Sequence, residues 1–489
     1  MNRDNRNKTV FLITIDALRP DHLKSYGYHR NTAPNLEKFA EKGTTFLNAI
    51  TNGPETPSAF SSLFTSILPF LSGGFSPLPI QKLILPQILK ENDVYTYGIH
   101  SNPNLGEFFN YHRGFDVFLD GERYKEKQDM PKNQETKKNP LFLLKKILNY
   151  KNLFDKLMYG LKGFNKIKSL LRNRFPFLTD IFLPFTPIAY NAPYVVNKVV
   201  SFLRKIDKPL FLWAHLMDVH SPFNPPSKNV LNINSSDINL RDRNFLTSEV
   251  YQNPEKYRIS TDILDKLKIL YDAEINYVDS YLKDLFELIP LKFPKDCLVI
   301  ITADHGESFF EHGFFFHQGN IYDELLKIPF FIIEIGNENA IKTVNNTVQI
   351  IDIAPTIIDY FGFPIPDSFQ GISLIPLIRG ESVERGKYVI SETYQKNGIM
   401  KRNNKDGYKL ISIRSDQWKY IYNEQSKEEL LFHLKSDPEE KVNLVIKEEE
   451  KLTQFRRIRD SHFEEITTVD ELSKISKVIS QIDFKKINL

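Results

Sequence analysis

Five short apolar runs constrain the fold more than any other feature of this chain. They are TVFLITI (9–15), VYTYGI (94–99), PLFLWAHL (209–216), CLVIITA (297–303) and IPFFIIEI (328–335). Each is shorter than a core helix, and none alternates apolar with polar as a half-exposed strand does. Unbroken Val, Ile, Leu and Phe is the pattern of parallel strands covered on both faces. Helical spacing fills the intervals. In NTAPNLEKFAEKG, Thr32 is the expected N-cap of a helix that places Leu36, Phe39 and Ala40 on one face, and Gly43 suits its stop. DILDKLKILYDAEINYVDSYLKDLFELIP keeps Leu267, Leu270, Tyr271, Val278, Leu282 and Leu285 near helical spacing, and DIAPTIIDYFG reads as a shorter helix ending at Gly362. Strand and helix in alternation predict an α/β fold over residues 1–385, with a central, mostly parallel sheet flanked by helices.

Beyond about residue 385 the texture changes. GYKLISIRSDQWKYIYN and EELLFHL read as antiparallel strands, so residues 386–489 are expected to form a smaller C-terminal α+β lobe with a charged helical tail. At 489 residues the chain exceeds one ordinary core, which agrees with more than one lobe. A basic helical insertion is expected at about 130–190. Within it, Lys137 to Arg174 carries a single acidic residue among many Lys and Arg, with Leu and Phe at three- and four-residue spacing. Two readings stand side by side: peripheral contact with an anionic membrane, or an insertion that covers the core with its apolar side.

The formal charge of +3 argues against nucleic acid as a partner. The one cysteine, Cys297, rules out an intramolecular disulfide or a cysteine-based zinc cluster and reads as a small core residue. The opening MNRDNRNKTVFLITIDAL is too short and too acidic in its apolar part for a signal peptide, and no run is long enough to span a bilayer. The expected location is cytoplasmic.

In open α/β sheets, ligands bind beyond the carboxyl ends of the strands. Asp16 ends the first run, Asp218 and His220 follow the third, and Asp304, His305 and His317 follow the fourth. Carboxylates and imidazoles converging on one edge suit a divalent metal. Taken singly, each has a structural reading as a helix cap or a satisfied hydrogen-bonding group. TNGPETPSAFSSLFTS adds Thr56, followed by Pro57 as the expected first helical residue. A hydroxyl at a helix N-terminus feels the positive end of the dipole, although a plain N-cap would carry the same residue.

Several blocks, in order, carry a family resemblance: FLITIDALRPDHLKSYGYHRNTAPNLEKFAEKGTTFLNA, GIHSNPNLGEFFNYHRGFDVF, MDVHSPFNPP, ADHGESFFEHGFFFHQGNIYDELLKIPFF, VQIIDIAPTIIDYFG and SDQWKYIYNEQSKEELLFHLKSDPEEKVNL. Across roughly residues 9–445 the chain resembles the sulfatases of the alkaline phosphatase superfamily. The resemblance implies an alkaline-phosphatase-like fold. It also implies Asp16, Thr56, Asp304 and His305 as metal ligands, Thr56 as nucleophile, and His220 and His317 as catalytic groups that contact the substrate.

The departures from the family are as informative. Where typical sulfatases carry a Cys or Ser that becomes formylglycine, this chain has Thr56, and Phe60 stands in place of the motif's arginine. Aligning on Pro57 instead would put Glu55 at the nucleophile position. Calcium-type sulfatases have paired aspartates early and Asp-Asn late; here the pairs are Asp16-Ala17 and Asp304-His305. Fewer carboxylates and an imidazole favour Zn²⁺ or Mn²⁺ over Ca²⁺. The expected function is metal-dependent hydrolysis of small sulfate or phosphate esters. The alternatives are a phosphodiesterase or phosphotransferase of the phosphoethanolamine-transferase type, and a non-catalytic membrane- or glycan-binding sulfatase fold. A second metal held by Asp218, His220 and His317 ranks below the one-metal arrangement, and His312 has no assigned role.

Overall fold

A computed structural model describes residues 8–120 and 191–481, apart from positions 76, 318, 338, 385 and 396–407. The basic segment 137–174, and the insertion expected around it, lie outside the described residues. Among the described residues no helix is long and apolar enough to cross a membrane.

The strands are β1 (Thr9–Ile15), β2 (Thr44–Ile50), β3 (Tyr95–His100), β4 (Val117–Asp120), β5 (Leu210–Leu216), β6 (Cys297–Ala303), β7 (Ser308–Phe309), β8 (Phe315–Phe316), β9 (Lys327–Ile328), β10 (Phe330–Ile335) and β11 (Thr343–Gln349). The main sheet has the order β11-β2-β10-β6-β1-β5-β3-β4, with β9 against β2. β1, β5 and β6 are buried along their whole length, as their unbroken apolar sequences require. The sheet is mostly parallel, as expected, with one correction. The run at 328–335 reads like a parallel strand, but β10 pairs antiparallel with both β6 and β2. A strand covered on both faces has the same apolar sequence whichever way it runs, so composition carries no direction.

Helices cover the sheet. The helix Thr261–Lys292 starts at Ser260, whose side chain accepts from the Ile263 N–H. It packs on the helix Pro34–Ala40 through Phe39 and Phe286, stacked with centroids 4.5 Å apart. Thr32 does not cap that shorter helix. Its hydroxyl donates to the His22 carbonyl at 2.6 Å, and Ala33 occupies the cap position. The free N–H groups of Asn35 and Leu36 go instead to the Asp279 carboxylate, at 3.0 and 2.7 Å. A partner 240 residues away in sequence replaces the local cap. The helix Ile353–Phe361 ends as expected at Gly362, whose φ of 77° is the left-handed conformation glycine allows.

A second, antiparallel sheet follows: β12 (Val389–Gln395), β13 (Tyr408–Arg414), β14 (Trp418–Asn423) and β15 (Glu429–His433), in sequential order. The charged tail is helical over Glu449–Gln481. Its Leu452 and Phe455 pack on Ile411, Ile413, Tyr420 and Leu431 of this sheet.

Candidate active site

Register places the site. Ile15 of β1 lies opposite Leu216 of β5 and Ala303 of β6, so Asp16 and Asp304 leave adjacent strands at the same edge. Both are fully buried. Ala17 then turns the chain at φ 56°, a conformation few residues other than glycine adopt. The Tyr271 hydroxyl holds this turn, donating to the Ala17 carbonyl at 2.7 Å and accepting from the Arg19 N–H at 2.8 Å.

The helix Thr56–Thr65 delivers Thr56 to the same edge. Glu55, extended at φ −130°, occupies the cap position, so Thr56 is the first helical residue and Pro57 the second, one later than expected. The plain N-cap reading of Thr56 therefore does not apply. Its Oγ1 lies 3.5 Å from Asp16 Oδ2 and 3.4 Å from His305 Nε2. Glu55 turns elsewhere: its carboxylate accepts from the Thr393 hydroxyl at 3.2 Å. Of the two alignments for the nucleophile position, only Thr56 reaches the carboxylates.

His305 presents a defined face. Its Nδ1 is 2.8 Å from the Gly306 carbonyl, which can only accept, so Nδ1 carries the proton and Nε2 keeps its lone pair. That lone pair is 3.8 Å from Asp16 Oδ1 and 3.5 Å from Asp304 Oδ2. These two carboxylate oxygens are buried without hydrogen-bond partners. Burial alone would raise the Asp16 pKa, but His220 and the hydrogen bond with His215 draw it well below the usual carboxylate range. Two anionic oxygens without hydrogen-bond partners and a hydroxyl, each within 3.8 Å of one imidazole nitrogen, make a donor set that fits a divalent cation.

His317 and His220 stand beside this cluster. The His317 ring stacks on His305 with centroids 4.2 Å apart and meets His220 edge-on at 5.1 Å. His317 Nδ1 lies 3.3 Å from Glu307 Oε1. Burial works against a charged His317, but Glu307 outweighs it and raises the pKa; the same pairing lowers that of Glu307 against the effect of its own burial. His220 Nδ1 donates to the Ser221 carbonyl at 2.5 Å.

Asp218 is not part of this constellation. Its Oδ2 accepts from the Ala192 N–H at 2.8 Å, at the start of the helix Ala192–Leu203, and burial pushes its pKa up to about 6. One oxygen of the carboxylate named for a second metal is thereby committed to a structural hydrogen bond. His312 is likewise structural: Nδ1 is 2.8 Å from Glu324, and the ring stacks on Tyr322 at 3.7 Å.

Three residues of the site escaped the sequence reading. Asn102 donates from Nδ2 to Asp16 Oδ2 at 3.1 Å and to Thr56 Oγ1 at 3.2 Å. His215 Nε2 is 3.2 Å from Asp16 Oδ2, and Asp16, His215 and Asp304 form a close group of potential ligands. Glu307 orients His317. His215 did leave a signal, as the one ionisable residue within the run LFLWAHL.

The sulfatase family model matches residues 8–363, and the model of the N-sulphoglucosamine sulphohydrolase C-terminal region matches residues 310–466. The chain is 28% identical over 282 residues to an arylsulfatase of Clostridium perfringens, covering 54% of this chain and 56% of the relative. It is 27% identical over 208 residues to a Delta 4,5-hexuronate-2-O-sulfatase of Bacteroides thetaiotaomicron, covering 41% and 40%. The chain thus spans about half the length of the curated relatives it matches. Among solved structures, a 2-O GAG sulfatase superposes with a TM-score of 0.67 at 18% identity, over 94% of this chain and 93% of that one. The phosphonate monoester hydrolase of Agrobacterium radiobacter does so with 0.65 at 18%, over 95% and 96%. These likenesses establish the alkaline-phosphatase-like fold. The matched family region contains β1 with Asp16, the helix of Thr56 and β6 with Asp304, and on that match the chain belongs to the sulfatase family.

Proposed function

We propose that this protein hydrolyses sulfate or phosphate esters, with Thr56 as nucleophile and a divalent cation held by Asp16, Asp304, His305 and Thr56. One observation carries the reading: the Thr56 hydroxyl sits at a helix N-terminus, 3.4 Å from the His305 lone pair and 3.5 Å from Asp16, beside two carboxylate oxygens that lack any partner. Two carboxylates and one imidazole favour Zn²⁺ or Mn²⁺ over Ca²⁺. When bound, the cation supplies Lewis acidity, which lowers the hydroxyl pKa and neutralises charge on the ester.

The side chains divide the remaining work. The Asn102 amide can only donate from Nδ2, so it stabilises negative charge developing on Thr56 Oγ1. The helix dipole acts in the same sense. The Thr56 hydroxyl gives up its proton to solvent, and Oγ1 forms a bond to sulfur or phosphorus as the bond to the ester oxygen breaks in line. That leaving oxygen takes a proton from His317, whose pKa the neighbouring Glu307 raises, or from His220 beside it. Water then attacks the threonine ester, releases sulfate or phosphate, and restores the hydroxyl.

A second reading, cleavage or transfer of a phosphodiester, is favoured by the pairing of Thr56 with His305. The same assay separates the two. Metal-stripped protein is resupplied with Zn²⁺, Mn²⁺ or Ca²⁺ and offered an aryl sulfate, an aryl phosphate and an aryl phosphodiester, with Thr56→Ala as control. Turnover of the sulfate or monoester that depends on Zn²⁺ or Mn²⁺ and is lost in Thr56→Ala supports hydrolysis as proposed. Turnover confined to the diester supports the second reading. Turnover that survives in Thr56→Ala removes Thr56 as nucleophile. Stoichiometric metal with no turnover of any ester leaves the non-catalytic binding fold.

A further inference from the structure

Behind Asp16, buried side chains form a hydrogen-bond chain with one internally consistent direction. The Trp213 indole can only donate, and its Nε1–H reaches Thr14 Oγ1 at 3.1 Å. The Thr14 hydroxyl proton then has two acceptors, His215 Nδ1 at 2.9 Å and the Ala214 carbonyl at 3.4 Å. The shorter contact is the stronger, so the proton goes to the nitrogen. With Nδ1 accepting, the neutral ring carries its own proton on Nε2 and donates it to Asp16 Oδ2 at 3.2 Å. Trp213, Thr14, His215 and Asp16 are all fully buried. Phe60, where typical sulfatases carry arginine, packs edge-on against the His215 ring at 4.9 Å and keeps it from turning over.

The outcome is an asymmetric carboxylate. Oδ2 of Asp16 accepts from His215 and Asn102 and, at 3.5 Å, from the Thr56 hydroxyl, while Oδ1 accepts no hydrogen bond. Asp304 shows the same division. Its Oδ1 accepts from the Ala17 and His305 N–H groups at 3.2 and 3.0 Å, and its Oδ2 is bare. Each aspartate thus has one oxygen tied to the protein and one left for a cation.

We propose that His215 is a positioning residue rather than a ligand: Trp213 and Thr14 impose its Nε2–H tautomer, which pins Asp16 Oδ2 and turns Oδ1 toward the metal. This rests on the metal site proposed above. The rival assignment makes His215 Nε2 itself a ligand, since it lies close to both aspartates. The two assignments require opposite protonation of Nε2, and that opposition makes them separable. Outer hydrogen-bond partners of metal ligands typically account for about 10- to 100-fold in metal affinity.

The test uses the full chain, stripped of metal and titrated with Zn²⁺ and with Co²⁺, whose visible absorption reports the number and kind of ligands. His215→Phe removes the donor and is expected to weaken binding by about 10- to 100-fold. His215→Gln keeps an N–H near the Nε2 position and is expected to restore most of that loss, with a Co²⁺ spectrum like the wild type's. Thr14→Val releases the tautomer and weakens binding, whereas Thr14→Ser keeps it. Thermal melts without metal identify any variant that fails to fold, and the Gln and Ser variants then carry the decision. A Co²⁺ spectrum altered in His215→Gln, together with affinity unchanged in Thr14→Val, would make His215 a ligand and overturn the proposal. Wild-type affinity in both His215→Phe and Thr14→Val would remove any role for the chain. Wild-type protein that binds neither ion would sink the metal site itself, a failure distinct from the other two.

Discussion

Among the described residues, Asn102 is the one amide that touches both Thr56 and Asp16. Its carbonyl end caps the local turn by accepting from the Asn104 N–H at 2.9 Å, so the amide cannot flip without losing that bond. Asn102→Ala should cut kcat by about 10²-fold, the usual cost of removing one donor to a developing oxyanion. The melting temperature should fall only modestly, by the loss of the cap on the Asn104 N–H, typically about 1 kcal/mol. Steady-state kinetics and a melt on one preparation check both halves. At this scale the sequence was informative wherever a residue had a strand end to mark it, as Asp16, Asp304 and His305 do. Asn102 lies in a loop whose course depends on β3 meeting β5, and Glu307 acts only through His317; neither relation is local. His220 and His317 were readable as candidates, but their mutual packing on His305 was not.

Among the elements, the junction of the helix Pro34–Ala40 with β10 leaves no room for a side chain at Gly43. A Cβ on Gly43 would come within 2.3 Å of the Ile332 carbonyl oxygen and 2.7 Å of Ile333 Cα, both backbone atoms that cannot rotate aside. Gly43→Ala should therefore destabilise the fold by roughly 1–3 kcal/mol, the range for overpacking, seen as a lowered denaturation midpoint. The sequence marked Gly43 as a helix stop; the close approach of a strand almost 300 residues later is the stronger constraint. The C-terminal helix has a different dependence. His462 contacts the buried Glu392 carboxylate, which in turn accepts from the Phe70 N–H at 2.6 Å. Burial disfavours a charged His462, but Glu392 outweighs it and raises the pKa. A raised histidine pKa contributes stability that is complete below about 6.5, the unfolded value, and is lost as pH rises through the folded value. Denaturation of the wild type and of His462→Phe should differ most near pH 6, by about 1–3 kcal/mol, and converge toward pH 9. Equal gaps at both pH values would show the contact to be packing alone.

Across the whole molecule, the two sheets are joined by buried charge. Asp323, at the start of the turn into β9, takes Arg414 of β13 at 2.5 Å and Lys419 of β14 at 2.8 Å; Lys419 also lies 2.7 Å from Glu440. Burial would raise the Asp323 pKa, yet Arg414 and Lys419 hold it well below the carboxylate range, while burial carries Glu440 up to about 7. Replacing Asp323 by Asn leaves two buried cations with less to balance them, so a loss of about 3–5 kcal/mol is expected in urea denaturation. Reading the sequence separated the C-terminal lobe by its antiparallel texture but missed what binds it, because Asp323, Arg414 and Glu440 look like surface charges until the strands are paired. The active-site edge has its own long-range origin. β1 acquires its neighbours from β5 and β6, and Ala17 reaches Asp304 across 287 residues. Contacts of such separation form late in folding. A ribosome that has completed only the first half of this chain has exposed Thr56 and Asp16 but not the strand that bears Asp304 and His305. On the proposed mechanism the nascent protein can neither retain the ion nor attack an ester, and that chemistry begins only when β6 slots between β1 and β10.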